Sequence, residues 1–349
     1  MTALQITSYE SCGKTALCAG IGKKFINAGK KVGYIKPVNL TGDVAAEGCP
    51  DAHFVNQALE LGEEKQQVCA FNISQEKLWQ SLSEDTNSFA EKIKSACDSV
   101  SAGKDILIIE TPGILKNDQV SALACYTIAE KVGAKVILLL GYANNVKDAD
   151  LDQVIAKFGE RLIGIVLNQV PETKLDIVKA ECEEYFKSRN ISVLGVLPES
   201  RSLLGVSVAE IAAALGAEII SSKDKSGDLV ENVMLGAMTP DSARDYYSRK
   251  RNKAVVTRSE RPDMQLAALD TSTKCLIVTK QKPSMPVMVK AEDKKVPVLV
   301  VNKDIIEAVS AIEQALAQSR FQHMQKLIVL TSILDSRFDF RALNAALGL

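Results

Sequence analysis

Residues Ser8–Thr15 have the types and spacing needed to bind a polyphosphate. They match the pattern G-x-x-x-x-G-K-[ST] at every fixed position except the first, where Ser8 replaces glycine. In such a loop the backbone N–H groups turn inward, Lys14 reaches the terminal phosphates, and the Thr15 hydroxyl ligates Mg²⁺. The residues predicted to hold the nucleotide here are Ser11, Cys12, Gly13, Lys14, Thr15 and Ala16. The alternative is an ordinary strand-to-helix turn with a surface lysine.

Three further side chains lie near or after the ends of predicted strands and are candidates to complete this site. Ligands of open parallel sheets lie beyond the carboxyl ends of the strands. Lys36, before Pro37, is predicted to act with Lys14 as a second catalytic cation on the phosphates. Asp51 and Glu110, with Thr15, are predicted metal ligands, since Mg²⁺ prefers hard oxygen donors. The alternatives are a solvated Lys36 and an Asp51 that caps a helix.

Two later strand ends supply candidates for the nucleoside. Asn168 follows an apolar run and has an amide suited to a base edge, while Pro198 and Glu199 end the next run. A turn-forming asparagine is an equally good interpretation of Asn168.

The elements that position these residues alternate between short apolar runs and longer amphipathic stretches. Nearly continuous apolar runs are typical of a parallel sheet covered on both faces, and we predict an α/β fold with a doubly wound, mostly parallel sheet. The predicted strands are Leu4–Tyr9, Val32–Val38, Ile106–Thr111, Val136–Tyr142, Ile163–Val170 and Val193–Pro198. The predicted helices are Thr15–Asn27, Asn87–Val100, Ala122–Val132, Leu151–Phe158, Leu175–Arg189 and Val206–Leu215.

A polar segment, Ser221–Asp228, predicts a boundary between a domain over residues 1–220 and a smaller α/β domain over 228–349. The second domain is predicted to contain strands Ala254–Thr257, Cys275–Thr279, Val296–Val301 and Leu327–Leu330 and helices Asp241–Arg249, Pro262–Leu269, Met285–Glu292 and Ile305–Gln318.

Composition is that of a soluble globular protein. The 349 residues are 46% hydrophobic and carry a formal net charge of −1, so charge points to neither nucleic acid nor anionic membranes as a partner. The eight cysteines are scattered, with no Cys-x-x-Cys pair, which suits free thiols in a reducing compartment. Without a signal-like start or a long apolar run, the expected location is the cytoplasm, with no membrane partner.

Several segments together resemble the amino-terminal region of long phosphate acetyltransferases, a dethiobiotin-synthetase-like P-loop domain followed by a DRTGG domain. The first domain does so through Ser8–Thr15, Lys36-Pro37-Val38, Asp51-Ala52, Glu110-Thr111-Pro112-Gly113, Asn168-Gln169-Val170-Pro171 and Gly195–Glu199. The second does so through Gly236-Ala237-Met238, Glu260-Arg261-Pro262-Asp263, Leu276–Thr279 and Val296-Pro297-Val298. By resemblance to dethiobiotin synthetase, Lys14, Thr15, Lys36, Asp51 and Glu110 hold ATP and Mg²⁺.

The chain also departs from these families. The glycine-rich stretch expected after Glu110 is reduced to Pro112-Gly113, and Ser259 and Lys280-Gln281 replace glycines of the second domain. The acetyltransferase domain of the long enzymes is not among these residues, so the resemblance implies a regulatory front half. A basic cluster, Arg249, Lys250, Arg251, Lys253, Arg258 and Arg261, is either solvated or an anion site.

Three functions remain open at this point. The first is an ATP- and Mg²⁺-binding regulatory or sensory protein, with a homodimer through the second domain and an acetyltransferase or other metabolic enzyme as expected partners. The second is an ATP-dependent ligase or phosphoryl-transfer enzyme that activates a carboxylate or carbamate. The third is an interaction scaffold whose P-loop no longer functions.

Overall fold

A computed structural model describes residues 1–41, 48–142, 149–236 and 240–349 of the protein. It divides the chain into two compact units. The first comprises Met1–Glu199 together with Phe321–Leu349, and the second comprises Ser200–Arg320.

The strands are β1 (Thr2–Ser8), β2 (Val32–Ile35), β3 (Val38–Leu40), β4 (Phe71–Ile73), β5 (Ile106–Glu110), β6 (Lys135–Gly141), β7 (Leu162–Val170), β8 (Ser192–Pro198), β9 (Val206–Ser207), β10 (Glu218–Ser221), β11 (Leu229–Val230), β12 (Asn232–Leu235), β13 (Lys253–Arg258), β14 (Thr273–Thr279) and β15 (Val298–Val301). The helices are α1 (Lys14–Asn27), α2 (Pro50–Ala58), α3 (Lys65–Val68), α4 (Gln75–Glu84), α5 (Thr86–Ser101), α6 (Gln119–Val132), α7 (Ala149–Phe158), α8 (Leu175–Lys187), α9 (Arg201–Leu204), α10 (Val208–Leu215), α11 (Pro240–Ser248), α12 (Pro262–Leu269), α13 (Met285–Asp293), α14 (Ile305–Ala317), α15 (Met324–Arg337) and α16 (Phe340–Leu347).

The first unit is built on a six-stranded sheet with the order β2-β5-β1-β6-β7-β8. All five pairings in it are parallel. Apolar strands such as Ile106–Glu110, with every residue buried, form because helices cover both faces of the sheet. The predicted α/β fold with a mostly parallel sheet is confirmed, and the strand order in the sheet places the ends of β2, β5 and β1 side by side.

The sequence prediction missed the small elements between β2 and β5. Val38–Leu40 forms a separate strand, paired in parallel with Phe71–Ile73, and helices α2, α3 and α4 lie nearby in the chain. These pieces are three to ten residues long, too short for a periodic pattern to stand out from single-residue preferences.

The strand predicted at Leu327–Leu330 is wrong, because these residues lie within helix α15. Buried Leu327, Leu330 and Leu334 recur at helical spacing, a period that the short apolar run alone does not reveal. Helix α15 packs on α1, where a Cβ on Gly20 would come within 2.5 Å of Leu334. Glycine at this position allows the two helices to approach closely.

The second unit has a five-stranded sheet with the order β10-β15-β14-β13-β12, parallel except for the edge strand β10. This division differs from the predicted domains 1–220 and 228–349. The polar segment Ser221–Asp228 lies inside the second unit, between β10 and β11, and residues 321–349 belong to the first. The polar composition of Ser221–Asp228 correctly indicates a connection between two strands. It does not indicate a unit boundary, because long-range strand pairing determines which unit a strand joins.

The predicted basic cluster of the second domain is not uniformly solvated. Lys253 is fully buried, and its ammonium donates to Thr271 Oγ1 at 2.9 Å and to the Ser272 carbonyl at 3.1 Å. Arg261 pairs with Asp263 at 2.7 Å. Burial lowers the pKa of Lys253 to about 8.

This lowered pKa predicts that the contribution of Lys253 to stability becomes more favourable in alkaline solution. Below pH 8 the folded protein holds a desolvated charge, whereas between pH 8 and about 10.5 the unfolded chain binds the proton more tightly than the folded chain does. We expect the free energy of unfolding of the wild type to gain about 3 kcal/mol over that window relative to Lys253→Met, measured by urea denaturation. Equal slopes for both proteins would contradict this prediction.

Candidate nucleotide-binding site

The loop Ser8–Thr15 connects β1 to α1 and turns sharply at Gly13. Gly13 has φ 99° and ψ 38°, a conformation that favours glycine. A Cβ at this position would lie 3.2 Å from Nδ2 of Asn168, so a side chain would also crowd the neighbouring strand end. Helix α1 begins at the next residue, and its first N–H groups are therefore directed at the space beyond the sheet.

Lys14 is held inside this loop. Its ammonium donates to Ser8 Oγ at 3.1 Å and to the carbonyl oxygen of Gly113. Burial lowers the pKa of Lys14, and the nearby Glu110 carboxylate partly offsets this effect. The serine that replaces the first glycine of the motif is thus a direct partner of the lysine that the motif uses for phosphate.

Glu110 is the centre of the polar cluster below the loop. It is 1% exposed at the end of β5, and its Oε1 accepts from the Thr15 hydroxyl at 2.8 Å and pairs with Lys36 Nζ at 3.1 Å. Its Oε2 accepts from the Tyr34 hydroxyl at 2.8 Å. A buried carboxylate needs such partners because desolvation of its charge is unfavourable.

Lys36 joins Glu110 to Asp51. Its ammonium lies 3.3 Å from Asp51 Oδ2. Burial alone would lower the pKa of Lys36, but the carboxylates of Glu110 and Asp51 outweigh this effect and hold the pKa well above its ordinary value. Lys36 is therefore a permanent cation, not the solvated lysine of the alternative interpretation. Asp51 is the second residue of α2, not its N-cap, so the capping alternative is wrong as well.

The strand-end candidates for the nucleoside lie at different distances from the loop. Asn168 contacts the loop, because its Nδ2 donates to the Cys12 carbonyl at 2.8 Å. Pro198 ends β8 beside Val170, and the N–H of the following Glu199 donates to the Val170 carbonyl at 2.8 Å. Among the contacts of the described residues, none joins Pro198 or Glu199 to the loop.

The oxygen donors of this cluster fit Mg²⁺ that is bound together with phosphates. Thr15, Glu110 and Asp51 offer a hydroxyl and two carboxylates, all hard ligands. Over the part of the chain that the structure describes, no group of three or more His, Cys, Asp or Glu residues could hold a metal by itself. Mg²⁺ typically takes one or two protein carboxylates, with phosphate oxygens and water completing its shell.

Sequence reasoning missed three partners of the predicted residues. Tyr34 lies two residues before Lys36, and the period of two in a strand was a signal that the two side chains point the same way. The Gly113 carbonyl holds Lys14, and Gln322 donates to Asp51 Oδ1 at 3.0 Å. Gln322 is 271 residues from Asp51, and no local pattern in the sequence indicates that contact.

Family comparisons agree with this architecture. A family profile described as an AAA domain matches residues 3–207, and one described as a DRTGG domain matches residues 210–315. Phosphate acetyltransferase of Nitrosomonas europaea is 22% identical over 188 residues, which are 51% of this chain and 27% of that enzyme. The predicted succession of a P-loop domain and a DRTGG domain, related weakly to phosphate acetyltransferase, is confirmed. The matched part spans about a quarter of the curated relative.

Solved structures resemble the chain only distantly. The CBS and DRTGG domains of the regulatory region of Clostridium perfringens pyrophosphatase, complexed with the activator diadenosine tetraphosphate, are 18% identical and cover 44% of this chain and 72% of their own, with a TM-score of 0.28. The signal recognition particle 54 kDa protein of Aeropyrum pernix, in complex with GDP, is 12% identical and covers 96% of this chain and 76% of its own, with a TM-score of 0.39. No helix in the described ranges has the length and apolar content to cross a membrane.

Proposed function

From the premise that this chain belongs to the AAA domain family, we propose that it binds ATP with Mg²⁺ at the Ser8–Thr15 loop and serves as a regulatory or sensory protein. The observation that carries the proposal is the convergence of Lys14, Thr15, Lys36 and Glu110 at the ends of three neighbouring strands. Two cations and a helix N-terminus suit a polyphosphate. Thr15 and the two carboxylates would hold Mg²⁺, which neutralises phosphate charge when bound.

The two loop side chains proposed to contact the ligand, Lys14 and Thr15, have partners within the protein. Lys14 donates to Ser8 and Gly113, and Thr15 donates to Glu110. ATP with Mg²⁺ would replace these contacts, because Lys14 would exchange two neutral acceptors for an anionic phosphate and the Thr15 hydroxyl would leave Glu110 for Mg²⁺. The loop therefore has two sets of partners, and the nucleotide selects one of them.

Ser8 sets the balance between those two sets. We expect Ser8→Gly to raise the affinity for ATP about three- to tenfold, because it removes one acceptor of Lys14 worth about 1 kcal/mol. Ser8→Ala removes the same hydroxyl but keeps the Cβ, and we expect a similar gain from it. Calorimetric titration with ATP and Mg²⁺ measures both variants, and unchanged affinity in both would show that Ser8 does not compete for Lys14.

The regulatory part of the proposal rests on the route of the chain. The chain leaves the first unit after Glu199 and returns at Phe321. Within the first unit, Gln322 holds Asp51 at 3.0 Å, and the ring of Phe321 meets that of Phe54 edge-on with centroids 5.8 Å apart. We propose that a ligand or partner of the second unit acts on the nucleotide site through this returning segment, by biasing the Asp51–Lys36 pair. A homodimer through the second unit and a metabolic enzyme partner belong to the same proposal.

A phosphoryl-transfer enzyme is the second candidate, favoured by Lys36 as a second cation close to Lys14 and Glu110. Phosphate release from ATP, assayed alone and with small carboxylates or diamines, distinguishes the two functions. The regulatory function predicts binding without steady turnover under all these conditions. Multiple turnovers stimulated by one of the added compounds would establish the enzyme instead.

A further inference from the structure

The second unit contains a group of polar side chains with buried oxygen atoms that lack a hydrogen-bond partner among the described residues. Among the described residues, four side-chain oxygens there are shielded from solvent and make no hydrogen bond: Tyr247 OH, Thr257 Oγ1, Ser259 Oγ and Gln265 Oε1. Tyr247, Thr257 and Gln265 are 0% exposed. Buried polar atoms are nearly always hydrogen-bonded, so four unpartnered oxygens in one unit require an explanation.

Two of these oxygens lie beside the end of β12. Gly236 follows that strand, and its N–H donates to the Val256 carbonyl at 2.8 Å. A Cβ on Gly236 would lie 2.9 Å from the Tyr247 hydroxyl and 2.4 Å from Cγ2 of Thr257. The backbone therefore passes directly against both side chains at this point.

The other two oxygens lie beside the end of β13. Ser259 follows that strand, and Gln265 on α12 donates through Nε2 to the Arg258 carbonyl at 2.7 Å and to the Ser259 carbonyl at 3.5 Å. Its Oε1 remains unpartnered. Burial raises the pKa of the Tyr247 phenol most, and the charges of Arg261 and Asp263, in the segment that follows Ser259, act on it as well.

The four oxygens thus lie in two pairs beside the carboxyl ends of two adjacent parallel strands, the edge at which open α/β sheets bind ligands. Their chemistry restricts the ligand. The three hydroxyls can donate or accept, whereas the amide oxygen of Gln265 can only accept. A matching ligand must therefore offer an N–H or O–H donor to Gln265, and its other groups next to the hydroxyls can be donors or acceptors.

Charge argues against a free phosphate as that ligand. The guanidinium of Arg261 is engaged by Asp263 through its Nε at 3.0 Å and Nη2 at 2.7 Å. A neutral edge with alternating donors and acceptors suits the site better, and a nucleobase or a ribose diol has such an edge.

We propose that the second unit binds a nucleoside through its base or ribose at Tyr247, Thr257, Ser259 and Gln265. Gln265 holds the segment Arg258–Arg261, whose Arg258 and Glu260 are exposed, so binding displaces this segment to open the site. The site is separate in residues from the phosphate loop of the first unit and does not depend on the function proposed there.

Calorimetric titration of the full chain tests this, with adenosine, guanosine and ribose as probes, none of which carries a phosphate. The background is Lys14→Met, which removes the phosphate-binding lysine of the first unit. We expect at least one nucleoside to bind equally to the wild type and to Lys14→Met. Thr257→Val and Tyr247→Phe should each weaken that binding about three- to tenfold, the loss of one hydrogen bond.

Thermal denaturation without ligand provides the structural control. Thr273 is a buried threonine of the same sheet whose hydroxyl donates to the Ala268 carbonyl at 2.7 Å. We expect Thr273→Val to lower the melting temperature and to leave nucleoside binding intact. Thr257→Val and Tyr247→Phe should keep or raise the melting temperature, because each removes an unpartnered hydroxyl.

Two outcomes would overturn the proposal. One is the absence of binding by all three probes at millimolar concentration. The other is equal nucleoside affinity in the wild type, Thr257→Val and Tyr247→Phe. If Thr257→Val lost as much stability as Thr273→Val and no probe bound, the hydroxyls would form hydrogen bonds to ordered water only.

Discussion

Replacing Lys14 with methionine is expected to weaken ATP binding at least about 30-fold, which corresponds to about 2 kcal/mol lost with one charge-assisted contact to phosphate. Methionine has nearly the same length and no charge, so the loop keeps its packing. Because burial lowers the pKa of Lys14, the folded protein holds this ammonium at a cost, and the variant should melt no lower than the wild type. Calorimetric titration with ATP and Mg²⁺, with a thermal scan of each protein, measures both effects.

Lys23→Met is the matched control for this experiment. Lys23 is on the same helix, and its one side-chain partner among the described residues is Glu60, in a long ion pair of 3.8 Å whose carboxylate is largely exposed. Such surface pairs contribute little, so neither affinity nor melting temperature should change measurably. Equal ATP affinity in Lys14→Met and Lys23→Met would contradict the assignment of Lys14 to phosphate.

The largest effect on stability is expected from Glu110→Gln. This change keeps the shape of the side chain but removes the charge that faces Lys36 at 3.1 Å in a buried site. Breaking a buried ion pair costs about 3 kcal/mol, and the remaining pair of Lys36 with Asp51 limits the loss. At 2–4 °C per kcal/mol, the unfolding midpoint of the first unit should fall by about 6–12 °C. Differential scanning calorimetry measures this shift.

Asp51→Asn distinguishes the two carboxylates. The Asp51 side chain is 27% exposed and Glu110 is 1% exposed, so solvent screens the pair of Asp51 with Lys36 far more. We expect a loss below about 1 kcal/mol for Asp51→Asn. Both variants should reduce the dependence of ATP affinity on Mg²⁺. A larger destabilisation by Asp51→Asn than by Glu110→Gln would contradict this account, because it would make Asp51 the main partner of Lys36.

Much of the candidate nucleotide site was predictable because its signals are local. One motif predicts the roles of Gly13, Lys14 and Thr15. The apolar run that precedes Glu110 indicated a buried strand, and therefore that the carboxylate of Glu110 lies at a strand end. Parallel pairing then brings strand ends to one edge, which made Lys36 and Asn168 reasonable candidates. Each of these inferences needed only a short stretch of chain and a general rule of sheet geometry.

The rest depends on contacts that no short window contains. Helix α15 joins the first unit because Leu330 and Leu334 fit against Gly20, more than three hundred residues earlier in the chain. The same long-range packing brings Gln322 to Asp51. Polar composition at Ser221–Asp228 predicted a boundary, but the pairing of β10 with β15 places that segment inside the second unit. The unpartnered hydroxyls of Tyr247 and Thr257 likewise appear only once the strands are assembled.

The central claim is that the Ser8–Thr15 loop receives the phosphates of ATP with Mg²⁺. A crystal structure of the full chain grown with a non-hydrolysable ATP analogue and Mg²⁺ tests it most directly. We predict that the phosphates contact the N–H groups that follow Cys12, that Lys14 leaves Ser8 and Gly113 to contact them, and that Mg²⁺ binds the Thr15 hydroxyl. Analogue bound elsewhere, with Lys14 still on Ser8 and Gly113, would contradict the claim.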